Sequence, residues 1–258
     1  MALRAVNICM YKLVITSGCS FSENTDTWVC DLERHYRSLN PDCEFQHLAV
    51  SSQGNELIQK KATRAVVAAV SRFRPEEIAV FIMWSTHDRR AFYLPEHTRE
   101  TIHCQVVDSN PVPPQYTDFA GQSQSGAGWY HTHGSTWGQN PVADFYYSHM
   151  HSLELGVHVT LENMLILALL VRQTGIVCHQ MMIMTQIYQQ IITHSQHDLC
   201  EHLWSALDWS SVDTVGELDW LRAQPSSDQY FRGDGVHPNS VGHELWFQQR
   251  LLPGLDNK

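Results

Sequence analysis

The stretch Tyr11-Lys12-Leu13-Val14-Ile15-Thr16, followed by Gly18-Cys19-Ser20-Phe21-Ser22, decides how this chain is read. A short aliphatic run that stops at a glycine reads as a buried strand ending in a tight turn. Such a turn presents Ser20 just beyond the strand's C-terminal end. A serine hydroxyl is a poor nucleophile unless an imidazole takes its proton and a carboxylate holds that imidazole in the right tautomer. Both groups occur far downstream in Asp234-Gly235-Val236-His237-Pro238-Asn239, a Gly/Pro-bounded loop ahead of an amphipathic stretch. Separation along the chain is no obstacle, because such a site is defined by geometry and not by order.

Outward from that strand, the pattern predicts a helix over 25–38, a strand over 44–50 and a helix over 55–73. A strand over 78–84 and a long irregular stretch over 90–140 come next. The rest reads as a helix over 142–174, a strand over 176–185, a helix over 199–208 and a last helix after Asn239. Strands alternating with helices imply an α/β fold, a three-layer sandwich with a central, mostly parallel sheet. At 258 residues a single domain over 1–258 is the economical reading, with an insertion at about 90–140. Ligands of such sheets bind beyond the C-terminal strand ends. Ser20, Gly54 and His87 all fall there.

In motif order the chain resembles the SGNH (GDSL-like) hydrolases, which pair a nucleophilic serine after the first strand with a C-terminal Asp-x-x-His. The resemblance implies the flavodoxin-like fold of that family and a catalytic set of Ser20, Asp234 and His237. It also implies an oxyanion hole from the Ser20 amide, the Gly54 amide in Ser51-Ser52-Gln53-Gly54-Asn55, and a side chain in Ser85-Thr86-His87-Asp88. The family's Asp before the serine is Cys19 here, and its Asn in the third motif is His87. A neutral imidazole can replace the Asn donor, or His87 points away and leaves two amides. A narrower similarity is to SGNH-like proteins encoded by bacteriophages.

A formal charge of −10, from 17 basic and 27 acidic residues, makes nucleic acid a poor partner. Seven scattered cysteines without Cys-x-x-Cys read as reduced thiols, and with no secretory signal apparent they point to a cytoplasmic protein. Cys19 reads as a small buried side chain under the nucleophile turn. The apolar run Leu161–Val171, hemmed by Glu162, Asn163 and Arg172, falls short of the ~20 residues of a membrane span and reads as a core helix. No cofactor is implied.

Two His-x-His pairs, His131/His133 and His149/His151, are candidate metal ligands if they lie on extended chain, where i and i+2 share a face. Phe145-Tyr146-Tyr147 instead suggest a helix from near Pro141, on which such pairs diverge. The expected metal count is therefore none. Trp129, Tyr130 and Trp137 in the insertion suit either a lid over the serine or a loop folded back on the domain. The expected activity is that of a serine esterase or deacylase acting on a small-molecule or carbohydrate ester. The alternatives are a weak or inactive SGNH-fold protein with a glycan-binding or virion role, and a metal-dependent hydrolase using the His-x-His pairs.

Overall fold

A computed structural model of the chain describes residues 11–23, 26–94, 116–117, 128–132, 141–195, 198 and 200–255. Strand β1 (Leu13–Ser17) is buried at all five positions. After helix α1 (Trp28–Leu39) comes β2 (Glu44–His47), whose alternating half-exposed pattern marks a sheet edge. Helix α2 (Asn55–Ala69) leads to β3 (Ile78–Trp84), buried at all seven positions. Unbroken apolar strands are what a parallel sheet covered on both faces requires.

The small strands β4 (Arg90–Leu94), β5 (Tyr116–Thr117) and β6 (Gly128–Thr132) form a separate antiparallel sheet in the order β4-β6-β5. Helix α3 (Pro141–His149) and the long helix α4 (Leu153–Thr174) follow, then β7 (Val177–Met182) and helices α5 (Thr185–Ser195) and α6 (Glu201–Ala206). The chain then runs through β8 (Val212–Asp213), α7 (Glu217–Arg222) and α8 (Ser240–Trp246). A π-helical turn, Phe247–Leu251, and a last short helix, α9 (Leu252–Leu255), complete it.

The five-stranded sheet has the order β2-β1-β3-β7-β8, and every pairing in it is parallel. Counted along that sheet alone the order is 2-1-3-4-5, the flavodoxin-like arrangement. The crossovers β1-α1-β2 and β2-α2-β3 step in opposite directions along the sheet. Right-handed connections then put α1 and α2 on opposite faces. Trp28 of α1 meets Trp246 of α8 edge to face at 6.0 Å on one side. On the other, Ile58, Ala62 and Val66 of α2 and Leu161, Met164 and Leu167 of α4 are buried.

Several elements differ from the sequence reading. The stretch read as irregular contains the β4-β6-β5 sheet, whose strands are too short to give a period. Residues 95–115, 118–127 and 133–140 lie outside the described residues, and with them Trp137 and His133. The single helix expected over 142–174 is two, split at Met150–Ser152, because Ser152 caps the second by accepting a hydrogen bond from the Leu155 N–H at 3.1 Å. Gly175, at φ 75°, ends it. The expected strand over 176–185 stops at Met182, and Thr185 opens a helix. Helix α4 is 22 residues long and contains an 18-residue window with a mean hydropathy of 1.6, so by length and composition alone it reaches the size of a span. In the fold, one of its faces packs on α2 and the sheet.

Candidate active site

Where β1 ends, the chain turns through Gly18 and Cys19 into one turn of 3₁₀ helix, Ser20–Ser22. A Cβ on Gly18 would collide with Ser22 Oγ and come within 3.2 Å of the Met83 carbonyl, so only glycine fits under this turn. Cys19 is fully buried, as its reading as a small packing side chain expects. Ser22 is fixed from behind by the Trp28 indole N–H, 3.2 Å from its Oγ. Ser20 itself remains partly accessible at the strand end.

The second motif is a loop closed by its own backbone. The Arg232 N–H donates to the His237 carbonyl at 2.8 Å, and the Gly235 N–H donates to the Arg232 carbonyl at 2.9 Å, with Gly235 at φ 67°. Asn239 both caps α8, accepting from the Gly242 N–H at 3.0 Å, and donates to the Gln229 and Phe231 carbonyls at 2.8 and 3.2 Å. Loop and helix are thereby one unit. Within it, Asp234 Oδ1 accepts from the Val236 and His237 N–H groups, both at 2.9 Å. Its Oδ2 lies 2.8 Å from His237 Nδ1. The two backbone donors, and then the imidazole, hold the Asp234 carboxyl well below the usual carboxylate range.

The structure brings the two motifs together. Ser20 Oγ is 3.0 Å from His237 Nε2 across 217 residues of chain. One tautomer satisfies both contacts: Nδ1 donates to Asp234, and Nε2 accepts from the serine hydroxyl. Phe21 packs its ring 5.2 Å from the imidazole.

Gly54 caps α2 in extended conformation at φ −81° and ψ 166°. Among the described residues neither the Ser20 nor the Gly54 N–H has a protein acceptor. His87 sits in the loop after β3, where a Cβ on Gly156 of α4 would lie 3.0 Å from its Cδ2. Among the described residues its Nδ1 is buried without a partner, and burial lowers its pKa from the usual imidazole value. Among the described residues no hydrogen bond joins it to Ser20 or His237.

The remaining candidates are drawn into other contacts. His149, ending α3, tilts against Phe145 at 5.2 Å, and His151 Nδ1 lies 3.2 Å from the Tyr146 hydroxyl. His131 is described only as part of β6. Among the described residues, no group of three or more His, Cys, Asp or Glu side chains is arranged to hold a metal ion. Of Asp88-Arg89-Arg90, Arg90 is ion-paired to Glu56 and donates to the Tyr146 hydroxyl at 2.6 Å, a buried structural cluster. A second hydroxyl–imidazole–carboxylate line, Thr16–His47–Glu33, has both contacts at 3.0 Å. Thr16 is fully buried inside β1, so this line joins β1, β2 and α1 and meets no substrate.

Three polar residues escaped the sequence reading. Gln53 and Asn55, on either side of Gly54, are buried side chains that reach into neighbouring loops. His243 is buried on α8 against Glu217 of α7, Nδ1 to Oε1 at 2.6 Å. Nothing in a single sequence marks a polar side chain as buried when its partner lies 26 or more residues away.

The fold and the strand-end loops define a doubly wound α/β protein with a serine–imidazole–carboxylate line at the topological switch of its sheet. No protein-family model and no curated protein sequence matches the chain. Among solved structures it is similar in fold to TesA, with 10% identity, 95% of this chain and 98% of that one covered, and a TM-score of 0.47. It is also similar to the psychrotrophic esterase EstA from Pseudoalteromonas sp., at 9% identity, 95% and 97% coverage and a TM-score of 0.46. A GDSL-like lipase from Bacteroides thetaiotaomicron VPI-5482 aligns at 13% identity, 95% and 88% coverage and a TM-score of 0.44.

Proposed function

We infer that this chain is a serine hydrolase of the SGNH type that cleaves ester bonds. The observation that carries the reading is the unbroken line from Ser20 Oγ through His237 to Asp234, with contacts of 3.0 and 2.8 Å. In the proposed reaction Ser20 Oγ attacks the ester carbonyl carbon while its proton passes to His237 Nε2. The carbonyl π pair moves onto oxygen and is received by the Ser20 and Gly54 N–H groups. Collapse of the tetrahedral intermediate breaks the C–O bond, and the leaving alkoxide takes the proton from His237. Water then attacks the acyl-serine with His237 again as base, releasing the acid and restoring Ser20. Asp234 orients the imidazole and stabilises its charged form.

His87 rests on Gly156, which supports a packing role and a hole made of two amides. An absent donor typically costs ~10²–10³ in turnover, so this reading is of a slow enzyme. Among esters, O-acyl groups on carbohydrate are the proposed substrate class, on the aromatic content of the 90–140 insertion. The two-donor hole also favours a second reading, a glycan-binding or virion protein of the same fold with little turnover. A fluorophosphonate probe followed by mass spectrometry separates the two. The hydrolase reading expects a single adduct on Ser20 and none in Ser20→Ala. An unlabelled wild-type serine would leave only the binding protein.

A further inference from the structure

Seven buried side-chain nitrogen or oxygen atoms lack a partner among the described residues, and five of them belong to Gln53, Glu56, Ser85, His87 and Arg89. These residues lie at the loop and first turn that open α2 and in the loop after β3, which meet at Gly54, where an added Cβ would lie 2.8 Å from the Arg89 carbonyl. Loops that keep unsatisfied polar atoms under burial have a composition set by placement and not by stability. Two carboxamides accomplish the placement. Gln53, fully buried, donates through Nε2 to the Gly18 carbonyl, two residues before Ser20, and at 3.4 Å to the Leu48 carbonyl. Asn55, 2% exposed, clasps the Ser85 backbone from both sides. Its Oδ1 accepts from the Ser85 N–H at 2.8 Å, and its Nδ2 donates to the Ser85 carbonyl at 3.1 Å and to Thr160 Oγ1 of α4 at 3.0 Å.

We propose that Gln53 and Asn55 are positioning residues that fix the Gly54 N–H against Ser20. The amide between them is flanked by one residue tied to the nucleophile turn and one tied to the loop after β3. A donor for developing negative charge acts through its placement before the reaction begins. With both clasps made, Gly54 cannot move without displacing Gly18 or Ser85. The inference rests on the ester-hydrolase reading for its consequence in rate, but the clasps themselves can be tested without it.

The test uses the full chain as wild type, Gln53→Met and Asn55→Asp. Gln53→Met keeps the volume and removes the donor to Gly18. Asn55→Asp keeps the acceptor for Ser85 N–H and removes the donors to Ser85 and Thr160. Hydrogen exchange read on segments 18–22 and 50–56 is expected to quicken in both variants, with the rest of the sheet unchanged. On p-nitrophenyl acetate, kcat is expected to fall by about 10–10²-fold, as a displacement of an ångström does, with KM and the midpoint of the acid limb kept. Unchanged exchange in both segments overturns the proposal, and so does quickened exchange with undiminished kcat. If the wild type neither hydrolyses esters nor labels at Ser20, the hydrolase reading fails, and exchange alone decides on the clasps. Should either variant not fold, Thr160→Val, which removes one acceptor of Asn55, gives the same readout in milder form.

Discussion

Asp234 is a half-exposed carboxylate whose pKa its own loop lowers by donating two backbone hydrogen bonds to it. On the proposed mechanism, the acid limb of activity should then be set by an imidazole base. Asp234→Asn removes the charge and frees the ring to take the wrong tautomer, so kcat should drop by about 10³–10⁴-fold, measured against wild type at pH 8. A loss under tenfold would dismiss Asp234 from the mechanism. His87 titrates in another sense. Burial lowers its folded pKa, and that of His151, so the unfolded chain binds more protons near pH 6. Stability should then rise with pH through the window below the unfolded histidine value of about 6.5, and fall as acid is added. Urea midpoints at pH 7.5 and 5.5 would show this drop, and His87→Ala should shrink it while leaving kcat per folded molecule unchanged. A kcat loss near 10²-fold would return His87 to the oxyanion hole.

At the scale of elements, the helix behind the Asp234–His237 loop is held by a buried pair. Glu217 and His243 are shielded almost completely, and burial pushes the Glu217 carboxyl up, while one of its oxygens lacks a partner among the described residues. His243→Ala strands that carboxyl in apolar surroundings and should cost about 3 kcal/mol in urea unfolding, whereas Glu217→Gln, keeping a hydrogen bond without a charge, should cost less. Equal costs would mean that the acid's charge is irrelevant there. The same region explains what a single sequence can and cannot tell. Ile78–Trp84 is legible because seven consecutive buried positions leave a continuous apolar run. Strand β8 has only two residues, Val212 and Asp213, and leaves no pattern. Helix α5 hid behind Met181–Met184, whose apolar run carried the expected strand past its end at Met182 into Thr185. Ser20, Asp234 and His237 were legible because a glycine turn and an Asx-type loop are local signals. The carboxamides of Gln53 and Asn55 were not, since their meaning lies in carbonyls and amides of other loops.

For the whole molecule, the sheet order sets the loops after β1, β2 and β3 at the same end of neighbouring strands, where the Asp234–His237 segment returns to Ser20. Central packing supports them: Phe81, fully buried in β3, stacks on His179 of β7 at 4.7 Å. Phe81→Ala should destabilise the fold by about 3–5 kcal/mol, read as a shift in urea midpoint, with any surviving folded protein still labelled by the phosphonate probe. The hydrogen bond between Ser20 and His237, spanning 217 residues, has a consequence for how the protein comes into being. A ribosome-bound chain carries Ser20 long before His237, 217 positions further on, has been made. Such a long closure is among the last contacts a folding chain can make. On the ester-hydrolase reading proposed above, the hydroxyl has no base until that closure forms, and hydrolysis would report completed folding.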